Sequence, residues 1–224
     1  MTKLSTALIA GVILTRTDLR RAARMRNPPD LFELRLDGLF TKREEVEAGL
    51  RDLRAPVIVT ARHPSEGGLN QLSLQERRAL LRRFLPQATY MDIELRSADA
   101  FAAIWDAARA KKIRVIVSFH DFNETPSRPR LEEITRTAIS LGADLLKIAT
   151  RTDTQEQLGR LLEFFAETSW RLPTAAMGIG RLGRAARREL IRRGSAVNYG
   201  HLGHSRIAGQ PSLSDLRRWS LGPK

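Results

Sequence analysis

Short apolar runs alternate with charged, amphipathic segments along the whole chain. The apolar runs are rich in β-branched residues, as buried strands are; they cover residues 7–13, 31–36, 56–61, 89–94, 113–119, 144–149, 173–178 and 196–199. The segments between them have the apolar period of amphipathic helices; they cover residues 17–26, 41–54, 73–85, 97–111, 130–141, 154–168, 181–193 and 212–219. Eight strands, each followed by a helix, predict an α/β fold, a compact (β/α)8 or TIM barrel.

The pattern runs through the chain without an interruption. No linker, low-complexity run or change of composition divides residues 1–224, so we expect a single barrel domain. An open doubly wound sheet is disfavoured, because the turn at residues 14–17 lacks the glycine-rich pattern that binds phosphates. Residues 4–14 imitate the apolar core of a signal peptide, but no small-residue cleavage site follows them. We interpret this run as part of the first strand and expect a cytoplasmic protein.

Two serines lie where helices are predicted to begin. Ser73 precedes Gln75 and Glu76, and Ser97 precedes Asp99. A serine hydroxyl followed by acidic or amide residues in the next turn is typical of a helix N-terminus. We therefore expect Ser73 and Ser97 to be the N-caps of the third and fourth helices.

The composition narrows the possible functions. The absence of cysteine excludes disulfides, thiolate nucleophiles and Cys-ligated metal sites. The formal net charge of +13 favours anionic partners. The basic residues are spread over most predicted helices, and the aromatic fraction of 6% is low for a surface that stacks on single-stranded bases. We therefore expect no nucleic-acid partner and no membrane, and a small anionic substrate instead.

Ionisable side chains share one face of five predicted strands. Because successive strand residues alternate between two faces, residues two apart point the same way. The residues on this face are Glu33, Arg35 and Asp37, Thr60 and Arg62, Asp92 and Glu94, Ser118 and His120, and Lys147. In a barrel the apolar face packs against the helices, so the ionisable face lines the interior, toward the carboxyl ends of the strands. One such pair is explained by an internal ion pair, but so many buried charges favour an active site.

Lys147 and His120 have the most specific chemistry of this set. A strand lysine flanked by Leu146 and Ile148 and lying near arginines favours the neutral amine, which attacks a ketone to form a Schiff base. The iminium withdraws electrons from the neighbouring carbon, so that a proton there becomes removable. His120, at the end of the neighbouring strand, is the natural general acid and base, since histidine titrates near neutral pH.

Six motifs extend this pattern over nearly the whole chain. They are Glu33-Leu-Arg35-Leu-Asp37; Thr60-Ala-Arg62-His-Pro-Ser-Glu66-Gly-Gly68; Val117-Ser-Phe-His120-Asp-Phe with Thr125-Pro126; Gly142-Ala-Asp-Leu-Leu-Lys147-Ile-Ala149; Met177-Gly178 with Gly183-Arg-Ala-Ala-Arg187; and Ala208-Gly209-Gln210. In residues and order they resemble the motifs of the type I 3-dehydroquinate dehydratases, the Schiff-base family of the shikimate pathway. The resemblance implies a (β/α)8 barrel that dehydrates 3-dehydroquinate to 3-dehydroshikimate.

The resemblance also implies a role for each motif residue. Lys147 condenses with the C3 ketone, His120 removes the C2 proton and returns it to the leaving C1 hydroxyl, and Glu66 orients His120. The implied substrate-binding residues are Glu33, Arg35 and Arg62, for the hydroxyls and the charge around Lys147, and Arg187 and Gln210, for the carboxylate and the ring. The iminium is itself the electron sink, so the resemblance implies no metal and no organic cofactor. We further expect a homodimer.

The chain departs from the family pattern at two places. Six residues precede the first predicted strand, so we expect the barrel to lack the N-terminal hairpin that closes it in many relatives. In the loop after the eighth strand, Arg206 stands where the family has a serine and Ala208 where it has a proline. We expect Arg206 to point to solvent; the alternative is a second cation near the substrate carboxylate. Gly203 and Gly209 predict a mobile loop that closes on the substrate.

Two other functions are alternatives. The first is another Schiff-base barrel lyase, similar to an aldolase, that acts on a related anionic hydroxyketone; the Arg206 difference keeps it open, and product formation from 3-dehydroquinate separates the two. The second is a nucleic-acid-binding protein with a basic face, which would bind arbitrary duplex DNA with a steep salt dependence.

Overall fold

Eight parallel strands form the inner layer of the protein, in a computed structural model that describes residues 7–169 and 171–221. The strands are β1 (Leu8–Ile13), β2 (Leu31–Arg35), β3 (Val57–Thr60), β4 (Tyr90–Glu94), β5 (Arg114–Asp121), β6 (Leu145–Arg151), β7 (Thr174–Ile179) and β8 (Val197–His201). Their hydrogen-bonded order is β7-β6-β5-β4-β3-β2-β1-β8. Each strand therefore lies beside its neighbours in sequence, and β8 returns to pair with β1.

An outer layer of helices covers this sheet, with one main helix after each strand. These are α1 (Arg16–Ala23), α2 (Arg43–Leu50), α3 (Leu74–Phe84), α4 (Ala102–Ala110), α5 (Arg128–Ser140), α6 (Gln155–Thr168), α7 (Gly183–Arg192) and α8 (Leu213–Ser220). A short helix, Leu36–Leu39, and several 3-10 turns lie in the connections. This alternation confirms the predicted (β/α)8 barrel.

The seam between β7 and β8 is closed by a backbone hydrogen bond and by an arginine side chain. Near its start, the backbone N–H of Ala196 donates to the carbonyl of Thr174 at 2.9 Å. Further along, the Arg187 guanidinium donates from Nε to the Gly178 carbonyl (2.9 Å) and from Nη1 to the Tyr199 carbonyl (3.4 Å). A side chain of α7 therefore bridges two strands that have no regular hydrogen-bonded ladder between them.

Apolar side chains form two layers on either side of the strands. The larger layer lies between strands and helices and includes Phe32, Val117 and Phe164. The smaller one lies inside the barrel, where Ile58 and Ile116 point inward. The buried ionisable residues of the interior lie from the middle of the strands, as Glu33, Asp92 and Lys147 do, to their carboxyl ends.

The element ends differ from the predicted ones by a few residues. β5 continues to Asp121 and β8 to His201, so His120 and His201 are both strand residues. The helix start predicted at Ser73 is confirmed, since its hydroxyl accepts the backbone N–H of Glu76 at 3.2 Å. The expected absence of a hairpin before β1 concerns residues 1–6, which lie outside the described residues.

The N-cap prediction for Ser97 is wrong. Two 3-10 turns, Leu95–Ser97 and Asp99–Phe101, precede α4, which begins only at Ala102. Ser97 is buried, and its hydroxyl instead accepts a hydrogen bond from the guanidinium of Arg77 at 3.3 Å. A local cap pattern could not reveal this contact with another helix.

Candidate active site

The nine predicted site residues line one pocket at the carboxyl ends of the strands. They are Glu33, Arg35, Arg62, Glu66, His120, Lys147, Arg187, Arg206 and Gln210. The strand residues reach the pocket because they share the inward face that the alternation predicted. The loops after β3 and β8 and the helix α7 contribute the others.

Lys147 lies at the base of this pocket and is 3% exposed. Its Nζ donates hydrogen bonds to Glu33 Oε1 at 2.8 Å and to Asp92 Oδ2 at 3.0 Å. Nζ also lies 4.0 Å from the centre of the Tyr199 ring, a cation–π contact. The predicted surroundings, apolar residues and arginines, are therefore incomplete, because two carboxylates contact the amine directly.

Arg62 contacts the carboxylates of Asp92 and Glu94. Its Nη2 donates to Asp92 at 2.8 Å, and its Nη1 donates to Glu94 at 3.1 Å and to the Ser118 hydroxyl at 2.6 Å. Burial alone would raise the pKa of Asp92, but the charges of Arg62 and Lys147 outweigh it and lower that pKa. The Asp92 carboxylate is thus fixed in its charged form beneath the substrate pocket.

A second arginine supports this network from outside the barrel. Arg77, on α3, is buried and contacts Glu94 through Nη2, while its Nε donates to the carbonyl of Ala61 at 2.7 Å. Burial lowers the pKa of Arg77, although the Glu94 charge opposes that shift. We did not predict Arg77, because its sequence position is indistinguishable from those of the exposed helix arginines.

Arg35 is engaged by a carboxylate of its own motif. Its Nε and Nη2 donate to Asp37 at 2.9 and 2.8 Å, and Nη2 also donates to the Gly67 carbonyl at 2.9 Å. Asp37 in turn accepts the backbone N–H of Leu69 at 2.9 Å. Arg35 thus ties the loop after β3, which carries Glu66, to the pocket wall.

Glu66 and His120 form a pair at one side of the pocket. Oε2 of Glu66 lies 3.0 Å from Nδ1 of His120, and the carboxylate also accepts the backbone N–H of His120. Burial raises the pKa of Glu66 to about 7, although Arg62 opposes this shift. Burial, with the charges of Arg62 and Lys147, lowers the pKa of His120 well below its ordinary value. His120 is therefore neutral near pH 7 and available as a base.

Arg187 faces the pocket from the β7–β8 seam. Burial lowers its pKa to about 10, and none of the carboxylates among the described residues forms an ion pair with it. A buried cation without a counter-charge favours an anionic ligand. Gln210 and Arg206 also line the pocket, and Arg206 is exposed.

Strand β8 contributes two pocket residues that were not predicted. Tyr199 and His201 are separated by one residue and share the inward face. The predicted strand ended at residue 199, which left His201 in a loop, and Tyr199 was given no role in the site. The alternation of inward and outward residues, continued for two more positions, would have placed Tyr199 and His201 together on the inward face.

The described residues give no sign of two other kinds of site. Between residues 7 and 221, Trp170 excepted, no group of three or more His, Asp or Glu side chains is arranged to hold a metal ion. In the same part of the chain, no helix has the length and apolar character needed to cross a membrane.

Comparison with known proteins gives one consistent result. A family model described as type I 3-dehydroquinase matches residues 13–219. A 3-dehydroquinate dehydratase of Methanothermobacter thermautotrophicus is 34% identical over 195 residues, which cover 86% of this chain and 84% of that protein. The chain also matches a bifunctional 3-dehydroquinate dehydratase/shikimate dehydrogenase of Arabidopsis thaliana at 32% identity, spanning 84% of this chain and 32% of that longer protein.

A solved structure agrees with these relatives. The crystal structure of 3-dehydroquinate dehydratase from Geobacillus kaustophilus is similar with a TM-score of 0.86 and 27% identity, over 96% of this chain and 90% of that one. Fold and site define a barrel with a buried lysine beside a histidine–carboxylate pair. The chain belongs to the type I 3-dehydroquinase family, and the predicted resemblance is confirmed.

Proposed function

We propose that the protein is a hydro-lyase that dehydrates 3-dehydroquinate to 3-dehydroshikimate through a Schiff base on Lys147. The observation that carries this proposal is the shared pocket of Lys147 and His120. They lie on neighbouring strands, where Lys147 pairs in register with Ser118, two residues before His120. An amine and a neutral imidazole on one side of a pocket are the two groups that imine formation and α-proton transfer require.

The first step is the attack of Lys147 Nζ on the C3 ketone. The ammonium must lose a proton before it attacks, and Glu33, at 2.8 Å from Nζ, is positioned to accept it. Glu33 returns this proton to the hydroxyl of the addition product, which leaves as water to give the iminium, a cation that remains close to Asp92 and to the face of the Tyr199 ring. These contacts stabilise the positive charge on which the next step depends.

The second step is proton transfer at the neighbouring carbon. With Nδ1 held by Glu66, the other ring nitrogen of His120 removes the C2 proton and forms an enamine. The C1 hydroxyl then leaves as water, taking the proton that His120 returns. Hydrolysis of the product iminium releases 3-dehydroshikimate and regenerates the Lys147 amine.

Two groups of pocket residues would bind the substrate. Glu33, Arg35 and Arg62 line the pocket and would contact the ring hydroxyls. Arg187 and Gln210 line it too, and the buried and unneutralised guanidinium is the natural partner of the carboxylate. Arg187 is assigned to the carboxylate because Arg35 and Arg62 are already paired with carboxylates of the protein, whereas Arg187 is not.

A homodimer and a cytoplasmic location belong to the same proposal, and both rest on the family resemblance. Light scattering on the purified chain tests the dimer, and cell fractionation tests the location. A monomer at micromolar concentration would contradict the first, and recovery outside the cytoplasm would contradict the second.

The activity itself is tested with purified protein and 3-dehydroquinate, by following the ultraviolet absorbance of the enone product. Lys147→Ala is expected to abolish turnover, whereas Lys111→Ala, on an exposed residue, leaves it unchanged. No product from the wild-type protein would refute the proposed function. Turnover by Lys147→Ala at the wild-type rate would refute the Schiff-base mechanism alone.

A further inference from the structure

One side of the pocket wall is mostly apolar. Strands β1 and β7 present Val12, Met177 and Ile179 to the pocket, whereas β2, β5 and β6 present ionisable residues. On this apolar side, β8 adds two residues with polar side chains, Tyr199 and His201. A polar group on an otherwise apolar wall needs a partner, because burying it unpaired is costly.

Both β8 residues have a polar atom that lacks such a partner. Among the buried side-chain atoms of residues 7–169 and 171–221, Tyr199 Oη and His201 Nδ1 are the two without a hydrogen bond. Tyr199 is 3% exposed and belongs to the apolar cluster inside the barrel. His201 is half-buried at the last position of the strand, and its side chain lines the pocket.

The position of His201 relative to Arg187 indicates what it meets. The Arg187 guanidinium contacts the backbone carbonyl of Tyr199, and His201 follows two residues later on the same inward face. Arg187 thus contacts β8 two residues before His201, and both side chains line the same pocket. The backbone of His201 is fixed there by pairing with Val12 of β1 and by its N–H, which donates to the Pro211 carbonyl at 3.0 Å.

We propose that His201 is a further substrate-binding residue, which donates a hydrogen bond to the carboxylate held by Arg187. This inference rests on the proposed function and adds to it a specificity for the carboxylate group. Arginine supplies the charge, and the imidazole supplies a second donor from a rigid strand on the side away from His120. A hydrogen bond to a charged group is worth more than one to a neutral group.

The test compares two ligands in three variants, each first checked for a wild-type-like melting temperature. The ligands are 3-dehydroshikimate and its carboxamide, in which the charged group is neutral, and their Kd values are measured by calorimetry. The variants are His201→Ala, His201→Asn, which keeps an N–H donor, and Ser214→Ala, a control on an exposed polar residue of α8 outside the pocket. KM and kcat for 3-dehydroquinate are measured alongside.

We expect His201→Ala to raise Kd for the carboxylate and KM about tenfold, while kcat stays within about twofold. The Kd of the carboxamide changes less than about threefold, because the bond to a neutral group is weaker. His201→Asn recovers most of the affinity, and Ser214→Ala resembles the wild type. Equal losses for the two ligands, or no loss for the carboxylate, overturn the inference. Either result leaves the proposed function intact as long as the wild type converts 3-dehydroquinate.

Discussion

Glu66 Oε2 lies 3.0 Å from both the ring Nδ1 and the backbone nitrogen of His120. Burial raises the pKa of Glu66 to about 7 and, with Arg62 and Lys147, lowers that of His120 well below its ordinary value. The pKa of the Glu66 carboxyl is therefore raised toward neutral pH, whereas that of the His120 imidazole is lowered. The ionised carboxylate holds an N–H on Nδ1, which leaves the other ring nitrogen free to act as the base.

The first prediction concerns the pH dependence of kcat/KM. Activity is present above the pKa of Glu66 and is lost as the pH falls through about 7, because protonation weakens the orientation of His120. Glu66→Gln removes the ionisable carboxyl, so the acid limb of the kcat/KM profile moves to lower pH. The plateau value of kcat/KM falls about 10- to 100-fold. Glu76→Gln, on a carboxyl outside the pocket, keeps the wild-type profile. An identical acid limb in Glu66→Gln would exclude Glu66 as the titrating group.

The second prediction concerns the arginine behind the network. Arg77→Met removes a buried cation and leaves Glu94 without its outer partner, so we expect the free energy of unfolding to fall by about 3–5 kcal/mol. Arg82→Met, on an exposed residue of the same helix, is the matched control and changes it by less than about 0.5 kcal/mol. Urea unfolding measures both. Equal stability of the two variants would show that Arg77 does not support the site.

The third prediction concerns carboxylate binding. Arg187→Ala removes the buried guanidinium that has no carboxylate partner among the described residues, and we expect KM to rise by about 10- to 100-fold. Arg188→Ala, on the adjacent exposed residue, leaves KM within about twofold. Steady-state kinetics with 3-dehydroquinate measure both. An unchanged KM in Arg187→Ala would show that another arginine, Arg184 or Arg206, binds the substrate carboxylate.

The fourth prediction separates the ring of Tyr199 from its hydroxyl. Tyr199→Leu removes the aromatic face 4.0 Å from Lys147 Nζ, so we expect kcat to fall about 3- to 30-fold. Tyr199→Phe keeps the ring and removes a hydroxyl that has no partner, so kcat stays within about twofold and the melting temperature does not fall. A loss of kcat in Tyr199→Phe as large as in Tyr199→Leu would assign the effect to the hydroxyl.

Much of the barrel could be predicted because its signals are local. The alternation along each strand is enough to show which side chains point inward, as the pairing of Glu33 with Lys147 illustrates. The contact itself could not be predicted, because Glu33 and Lys147 lie far apart in sequence and no local pattern connects them. The resemblance implied Glu33 for the charge around Lys147, but the contact of Asp92 with Nζ was not expected, although Asp92 had been placed on the inward face.

Other parts of the site depend on contacts between layers. Arg77 reaches Glu94 from a helix, and Arg187 bridges β7 and β8 while facing the pocket. Helical periodicity cannot distinguish these arginines from their exposed neighbours, because all of them occur in runs of basic residues. His201 escaped prediction for a different reason: glycine at position 200 interrupts the β-branched pattern, so the strand was ended too early.

The most direct measurement is to trap the Schiff base. The protein is incubated with 3-dehydroquinate and sodium borohydride, and the product is analysed by intact mass and peptide mapping. We expect one adduct per chain, on the peptide that contains Lys147, and none in Lys147→Ala. We also expect His120→Ala to form this adduct while losing most of its turnover, about 10²- to 10⁴-fold. Turnover without any change of mass, or an adduct on another residue, would contradict the assignment of Lys147 as the imine-forming group.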